Sequence, residues 1–148
     1  MNIDTLKLLA WIVLAIVPPA ALAHVTDETQ SAAGLKVNLG IVPAESIRGA
    51  ERRMHGGVPS GKSIYHVMVA IFDAKTGARV ADAQVRARVE EVGLTREEKA
   101  LEPMQVANAL TYGNFFRMAG QGTFRVTVQI RLPGTTRATE LQFEHRHP

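Results

Sequence analysis

Cysteine is absent from this 148-residue chain, so neither a disulfide bond nor a thiolate ligand is available. The hydrophobic core must therefore hold the fold without covalent cross-links. A site for a soft metal ion would have to use histidine and methionine, whose imidazole and thioether groups both suit copper. The lack of cysteine also excludes a lipoprotein anchor.

The chain also lacks the short motifs of common enzyme chemistry. It contains no HExxH, no GxSxG, no phosphate-binding P-loop and no GxGxxG. Its carboxylates do not follow the spacing of a calcium-binding EF-hand. The serines lie in polar segments without an accompanying base. The sequence therefore predicts a protein that is not an enzyme.

Charge is only mildly unbalanced, with 17 Lys and Arg against 14 Asp and Glu. In the C-terminal half the arginines alternate with apolar residues, which is typical of the solvent face of a β-sheet. A nucleic-acid surface needs basic residues clustered on one face. No nucleic-acid partner is predicted.

The longest uninterrupted apolar run, 8–17, is too short to span a bilayer, which takes about 20 residues. It follows the polar start "MNIDTLK" and precedes "ALA" at 21–23, a small-x-small cleavage pattern. Residues 1–23 are predicted to be a cleaved secretory signal, with an uncleaved anchor as the alternative. An exported chain without cysteine points to the periplasm of a Gram-negative cell.

Period-two alternation of apolar and polar residues dominates the rest of the chain. It is clear in "LKVNLGIV", "ADAQVRARVEEV", "FRVTVQIRL" and "ATELQFEHRH", while "IYHVMVAIF" is apolar on both faces and predicts a central strand. No helical period is sustained. We predict an all-β fold, an immunoglobulin-like antiparallel β-sandwich of about 7 strands. The only tryptophan, Trp11, lies in the signal, so the Cys–Trp–Cys core of antibody domains is absent.

Several segments are predicted to be irregular. Residues 24–34 form a mobile lead, and a single domain at 35–148 contains a long Gly- and Pro-rich loop at 43–63. "GLTREEKALEP" is expected to be a polar connector. "MQVANALTYGNFFRMAG" is expected to form two short strands around Tyr112, Gly113 and Asn114.

The segments "HVMVAIFDAKTGARVADAQVRARV", "LEPM", "YGNFFRMAGQGTFRVTVQI" and "FEHRH" together resemble the YtkA-like and FixH-like periplasmic domains. The resemblance runs from Tyr65 to His145 and includes the turn residues Asp73 and Gly77. It implies a small β-sandwich and a role in copper handling or oxidase assembly.

The main metal candidates are histidine and methionine residues within the long loop and just after it. His66 and Met68 stand at i and i+2 of a predicted strand, so they project from one face. Met54 and His55 precede two glycines that allow the chain to turn back over that strand. Met104 follows Pro103, which stiffens the backbone before it. For each residue the alternative is an ordinary core or loop side chain.

Weaker candidates lie at the two ends of the mature chain. Cleavage after Ala23 would leave His24 with a free amine and an imidazole, a ready chelate. His145 and His147 share a face at i and i+2, although a frayed terminus is the alternative there.

Two hypotheses follow. In the first, the protein binds copper or a related soft metal through His66, His55 and Met54, supported by Met104 or Met68, for delivery or buffering. In the second, it is a metal-free module that docks on a membrane-bound transporter or an oxidase-assembly protein. Its docking loop would be "YGNFF" at 112–116.

Overall fold

The computed structural model describes residues 28–47, 56–91, 93–94 and 96–147. The predicted signal, His24, Met54 and His55 lie outside these residues. Within them the chain forms one short 3₁₀ helix, Ala44–Ser46, and eight strands. The strands are β1 (Glu28–Ala32), β2 (Leu35–Pro43), β3 (Ile64–Asp73), β4 (Gln84–Glu91), β5 (Arg96–Val106), β6 (Ala109–Arg117), β7 (Thr123–Arg131) and β8 (Thr139–Arg146).

All strand pairs are antiparallel, and the strands follow the order β1-β2-β3-β6-β5-β4-β7-β8. The sheet folds on itself at β5, whose residues 96–101 pair with β4 and whose residues 102–106 pair with β6. The first layer is β1, β2, β3, β6 and the end of β5; the second layer is the start of β5, β4, β7 and β8. The predicted antiparallel β-sandwich is confirmed, with eight strands in place of about seven. No helix in the described part of the chain is long and apolar enough to cross a bilayer.

The core lies between the two layers and comes from the alternating strands. Each alternation predicted one inward face, and that face is buried because a strand projects successive side chains to opposite sides. The buried residues on these faces include Val37, Leu39, Val67, Val69, Val85, Ala87, Phe124, Val126, Val128, Leu141 and Phe143.

The predicted polar connector is wrong, because "REEKALEP" lies within β5. Its glutamates and lysine favoured the prediction of a connector, since charged residues are uncommon in strands unless one face is solvated. Pro103, next to the point where β5 changes partners, contributes no N–H to a ladder.

Side chains bridge β5 and β6 where their backbone ladder is missing. Lys99 donates to the carbonyl of Phe115 at 2.6 Å, and Asn114 donates to the carbonyl of Ala100 at 2.9 Å. The carboxylate of Glu97 accepts from the Arg117 N–H at 3.0 Å and contacts the Lys99 ammonium at 2.6 Å. Partial burial opposes ionisation of Glu97, but these bonds outweigh it and lower its pKa.

The predicted break around Gly113 is also wrong. Tyr112, Gly113 and Asn114 lie inside β6, and the turn comes earlier, at Ala107 and Asn108. Both turn residues have positive φ, 49° and 63°, as the tightest hairpin turns require. Asn108 tolerates that conformation, but Ala107 gives no turn signal in the sequence.

Residues 28–32, placed by the sequence analysis in a mobile lead, form strand β1 and pair with β2. The Gln30 amide of β1 donates to the carbonyl of Gln142 in β8 at 2.6 Å. This bond joins the two ends of the strand order, so the sandwich is closed into a barrel-like shape.

Tyr112 is expected to contribute measurably to stability through its hydroxyl. That oxygen accepts from the Ala83 N–H at 3.1 Å and donates to the Val80 carbonyl at 3.3 Å, holding the segment before β4 against the core. Tyr112→Phe should lower the free energy of unfolding by about 1–2 kcal/mol, since two backbone groups lose their partner. Urea unfolding measures this loss, and Tyr65→Phe is the matched control. Equal stability of Tyr112→Phe and wild type would contradict the prediction.

Candidate metal centre

His66 lies on the outer face of the first layer, as the alternation along β3 predicted. Val67 and Val69 point into the core, so His66 and Met68 project to the other side. That side normally faces solvent, yet His66 is only 2% exposed. Something on the outer face therefore covers the imidazole.

Phe115 of β6 contributes to this cover, and it packs with described residues of the loop between β2 and β3. Ala44, Ile47 and Phe115 form a small apolar cluster with partly buried Val42, Val58 and Ile64 packed against it. The ring of Phe115 lies beside His66, with 4.7 Å between ring centroids. Described residues before and after 48–55 thus pack into the cluster that contains Phe115, beside His66.

A gap above Gly113 brings His66 and Met104 together. A Cβ atom at Gly113 would lie 2.7 Å from the Met104 sulfur and 2.8 Å from His66 Nε2. The sulfur and the nitrogen therefore meet at one point that only glycine leaves open. Glycine inside a strand often marks such a close approach.

The strand order explains how these distant residues meet. His66 is opposite Phe115 in the β3–β6 pair, and Met104 is opposite Thr111 in the β5–β6 pair. The two side chains thus approach Gly113 diagonally, from strands on either side of β6. Diagonal neighbours on one face of a sheet lie within reach of long side chains.

Met68 and Glu102 occupy the row of Gly113 itself. Met68 is its partner on β3 and Glu102 its partner on β5, so both share the outer face with the gap. Met104 is 6% exposed, whereas Glu102 is exposed to solvent. The inner part of the site is therefore an imidazole and a thioether, and its carboxylate lies at the solvent side.

Of the predicted ligands, His66 and Met104 are brought together and Met68 lies next to them. Met54, His55 and His24 fall outside the described residues. Gly113 was missed as a site residue because "TYGNF" was interpreted as a turn. Within the described ranges no group of three or more His, Cys, Asp or Glu side chains is placed to hold a metal ion.

His145 and His147 lie elsewhere, at one end of the space between the layers. Their ring centroids are 5.1 Å apart, and His147 also contacts the rings of Tyr65 at 4.6 Å and Phe124 at 4.8 Å. His145 is 7% exposed. The predicted alternative of a frayed terminus is wrong for this pair. Burial lowers the pKa of His145, and the neighbouring His147 lowers it further.

Comparison with known proteins gives no match to any family profile and none to a curated protein sequence. Several solved structures do share the fold. A copper-bound variant of FetP from uropathogenic Escherichia coli has 17% sequence identity and a TM-score of 0.64, covering 81% of this chain and 93% of that chain. FetP has also been produced recombinantly in the periplasm of E. coli.

Two further structures extend the comparison. Copper-reconstituted P19 from Campylobacter jejuni has 13% identity and a TM-score of 0.64, covering 81% of this chain and 92% of that chain. A DUF4426 family protein from Pseudomonas aeruginosa PAO1 has 18% identity and a TM-score of 0.63, covering 82% and 94%. These likenesses show a shared fold. The predicted likeness to YtkA-like and FixH-like domains stays a prediction.

Proposed function

We propose that this protein is an exported, periplasmic β-sandwich that binds copper for delivery or buffering and carries out no turnover. The observation that carries the proposal is the meeting of His66 Nε2 and the Met104 sulfur above Gly113. The copper-bound state of FetP and P19, which share the fold, supports it.

The donor set suits copper better than hard cations. Mg²⁺ and Ca²⁺ prefer oxygen ligands, whereas a thioether selects a soft ion and imidazole binds copper in either oxidation state. The only carboxylate in the row of Gly113 is exposed Glu102. A thioether and an imidazole in a largely buried site favour Cu(I), the softer ion. The metal is cargo here, and the protein's task is to hold it.

The ligand set in this proposal is His66 and Met104, with Met68 beside them and Met54 and His55 from the loop. Because His66 and Met104 are buried, the groups that cover them must move for copper to enter or leave. A membrane-bound transporter or an oxidase-assembly protein would be the acceptor. Transfer would then begin when the acceptor displaces that cover.

Met104→Leu is expected to weaken Cu(I) binding at least tenfold, about 1.4 kcal/mol, because it removes a ligand sulfur while keeping the volume. Met118→Leu is the matched control, since Met118 is 1% exposed in the main core, away from Gly113. The measurement is anaerobic titration against a chromophoric Cu(I) chelator. His66→Ala should have at least as large an effect.

Equal Cu(I) affinities for Met104→Leu, Met118→Leu and the wild type would contradict the proposal. So would a His66→Ala variant that is folded and binds as tightly as wild type. Circular dichroism of each variant separates loss of a ligand from loss of the fold.

The docking surface of the alternative hypothesis is wrong. Tyr112, Phe115 and Phe116, predicted to lie in an exposed loop, are buried residues of strand β6. The strand was missed because Gly113 and Asn114 are common turn residues. No aromatic side chain of this segment is free to contact a partner.

A further inference from the structure

The pair His145 and His147 lies at the end of β8, away from the Gly113 gap. His145 is the last buried, inward-facing residue of β8, and it lies opposite Phe124 in the β7–β8 pair. His147 follows the strand and packs between the rings of Tyr65 and Phe124. The aromatic rings hold both imidazoles at one end of the sandwich interior.

Hydrogen bonding fixes the tautomer of His147. Its Nδ1 lies 3.0 Å from the carbonyl oxygen of Gly120. A carbonyl only accepts, so Nδ1 carries the proton and Nε2 carries the lone pair. A metal-binding histidine commonly has one ring nitrogen oriented in this way by a backbone carbonyl. His147 Nε2 is therefore prepared to act as a ligand.

One buried nitrogen on each of the two rings has no hydrogen-bond partner among the described residues. His147 Nε2 and His145 Nδ1 are both buried and form no hydrogen bond. Leaving a buried polar atom unsatisfied costs about 1–3 kcal/mol, so two of them on adjacent rings need an explanation. A ligand that accepts lone pairs from both rings supplies one.

The spacing of the rings is close to that of a shared metal ion. With metal–nitrogen distances of about 2.0 Å, two coordinated imidazoles have centroids about 6 Å apart at most, and less when the complex is bent. The observed 5.1 Å is about 1 Å shorter than this linear spacing, which two-coordinate Cu(I) prefers, so the rings must separate slightly when the ion binds. His147 is half-buried and follows the end of β8, so it is the ring whose rotation would open the spacing and direct its free nitrogen toward His145.

We propose that His145 and His147 form a second metal site, a two-nitrogen site for Cu(I). Cu(I) is stable with two ligands, whereas Zn²⁺ requires about four. In the described part of the chain no third His, Asp or Glu completes a larger set.

This site is physically separate from the one at Gly113. Tyr65 and His66 are consecutive residues of β3, so their side chains lie on opposite faces of the first layer. Tyr65 contacts His147 on the inner face, while His66 meets Met104 on the outer face. The chain thus holds a nitrogen-only site and a nitrogen–sulfur site across one strand. The proposal does not depend on copper binding at Gly113.

The test uses the purified full chain carrying His66→Ala and Met104→Leu, which disables the outer site. Anaerobic Cu(I) titration should still show one equivalent, and X-ray absorption at the copper edge should show nitrogen and no sulfur neighbours. Adding His147→Gln should remove that equivalent, because glutamine can still donate to Gly120 but lacks the imidazole nitrogen. Zn²⁺ in place of Cu(I) should bind at least tenfold more weakly.

His145→Phe provides a second route if His147→Gln disturbs the chain end. It replaces a buried imidazole with an apolar ring beside Phe124, so it should keep the fold and also remove the equivalent. No Cu(I) bound by the disabled background, sulfur in its spectrum, or an unchanged equivalent in folded His147→Gln or His145→Phe would overturn the proposal. If copper did not bind at the outer site, Met104→Leu would keep wild-type Cu(I) affinity. That result is distinct from the ones that would overturn the second site.

Discussion

Gly113→Val is expected to weaken Cu(I) binding at the outer site at least about 100-fold, or 2.7 kcal/mol. Even the first added atom would lie 2.7 Å from the Met104 sulfur and 2.8 Å from His66 Nε2, closer than atoms pack. The two further methyl groups of valine would fill the space in which a metal ion must sit. The same anaerobic chelator competition measures the affinity.

A graded series makes this expectation sharper. In Gly113→Ala the flexible end of Met104 can move aside, so binding should fall less than in Gly113→Val. Gly122→Ala is the matched control. A Cβ atom added at Gly122 would lie 3.4 Å from its nearest neighbour, a Glu91 oxygen, which is an ordinary contact distance. This control should bind Cu(I) as wild type does.

Stability should change far less than binding. Overpacking costs about 1–3 kcal/mol, while replacing glycine in a strand recovers about 0.5–1 kcal/mol. A thermal melt should therefore show a folded Gly113→Val protein. If that folded protein keeps wild-type affinity, copper does not bind at the gap above Gly113.

Phe143→Ala is expected to lower the free energy of unfolding by about 3–5 kcal/mol. Phe143 is 0% exposed, lies opposite Val126 of β7 and belongs to the main core. Truncation removes buried apolar surface and leaves a cavity that a closed sandwich cannot readily collapse. Against a total stability of about 5–15 kcal/mol, this is a large fraction.

Urea unfolding followed by circular dichroism measures the loss. Leu94→Ala is the control, since Leu94 is 71% exposed and its truncation should change stability by at most about 0.5 kcal/mol. Similar midpoints for the two variants would show that the Phe143 site is not part of a tightly packed core.

Alternation was informative wherever a strand has one buried and one solvated face. β2, β4, β7 and β8 were predicted with the correct inward residues for this reason. β1, "ETQSA", contains almost no apolar residues, so alternation of apolar and polar residues could not predict this edge strand. β5 was missed because it changes layers, so no single face of it is continuously buried.

The site was predictable only in part. The face of His66 follows from local alternation, and Met104 was a candidate on chemical grounds. Their meeting depends on the order β3-β6-β5, which brings together strands distant in sequence and is set by packing of the whole sheet. The role of Gly113 can be recognised only after that order is known, because its missing side chain matters only beside His66 and Met104.

The bond between Gln30 and Gln142 links residues 112 positions apart, so closure of the sheet requires both β1 and β8. β8 is synthesised after the other described strands, and until it forms, both β1 and the free side of β7 offer unpaired backbone groups. Exposed strand edges recruit other chains, and long-range closure is slow. Truncation before residue 139 should therefore yield a chain that aggregates and is sensitive to proteases, because two strand edges stay open.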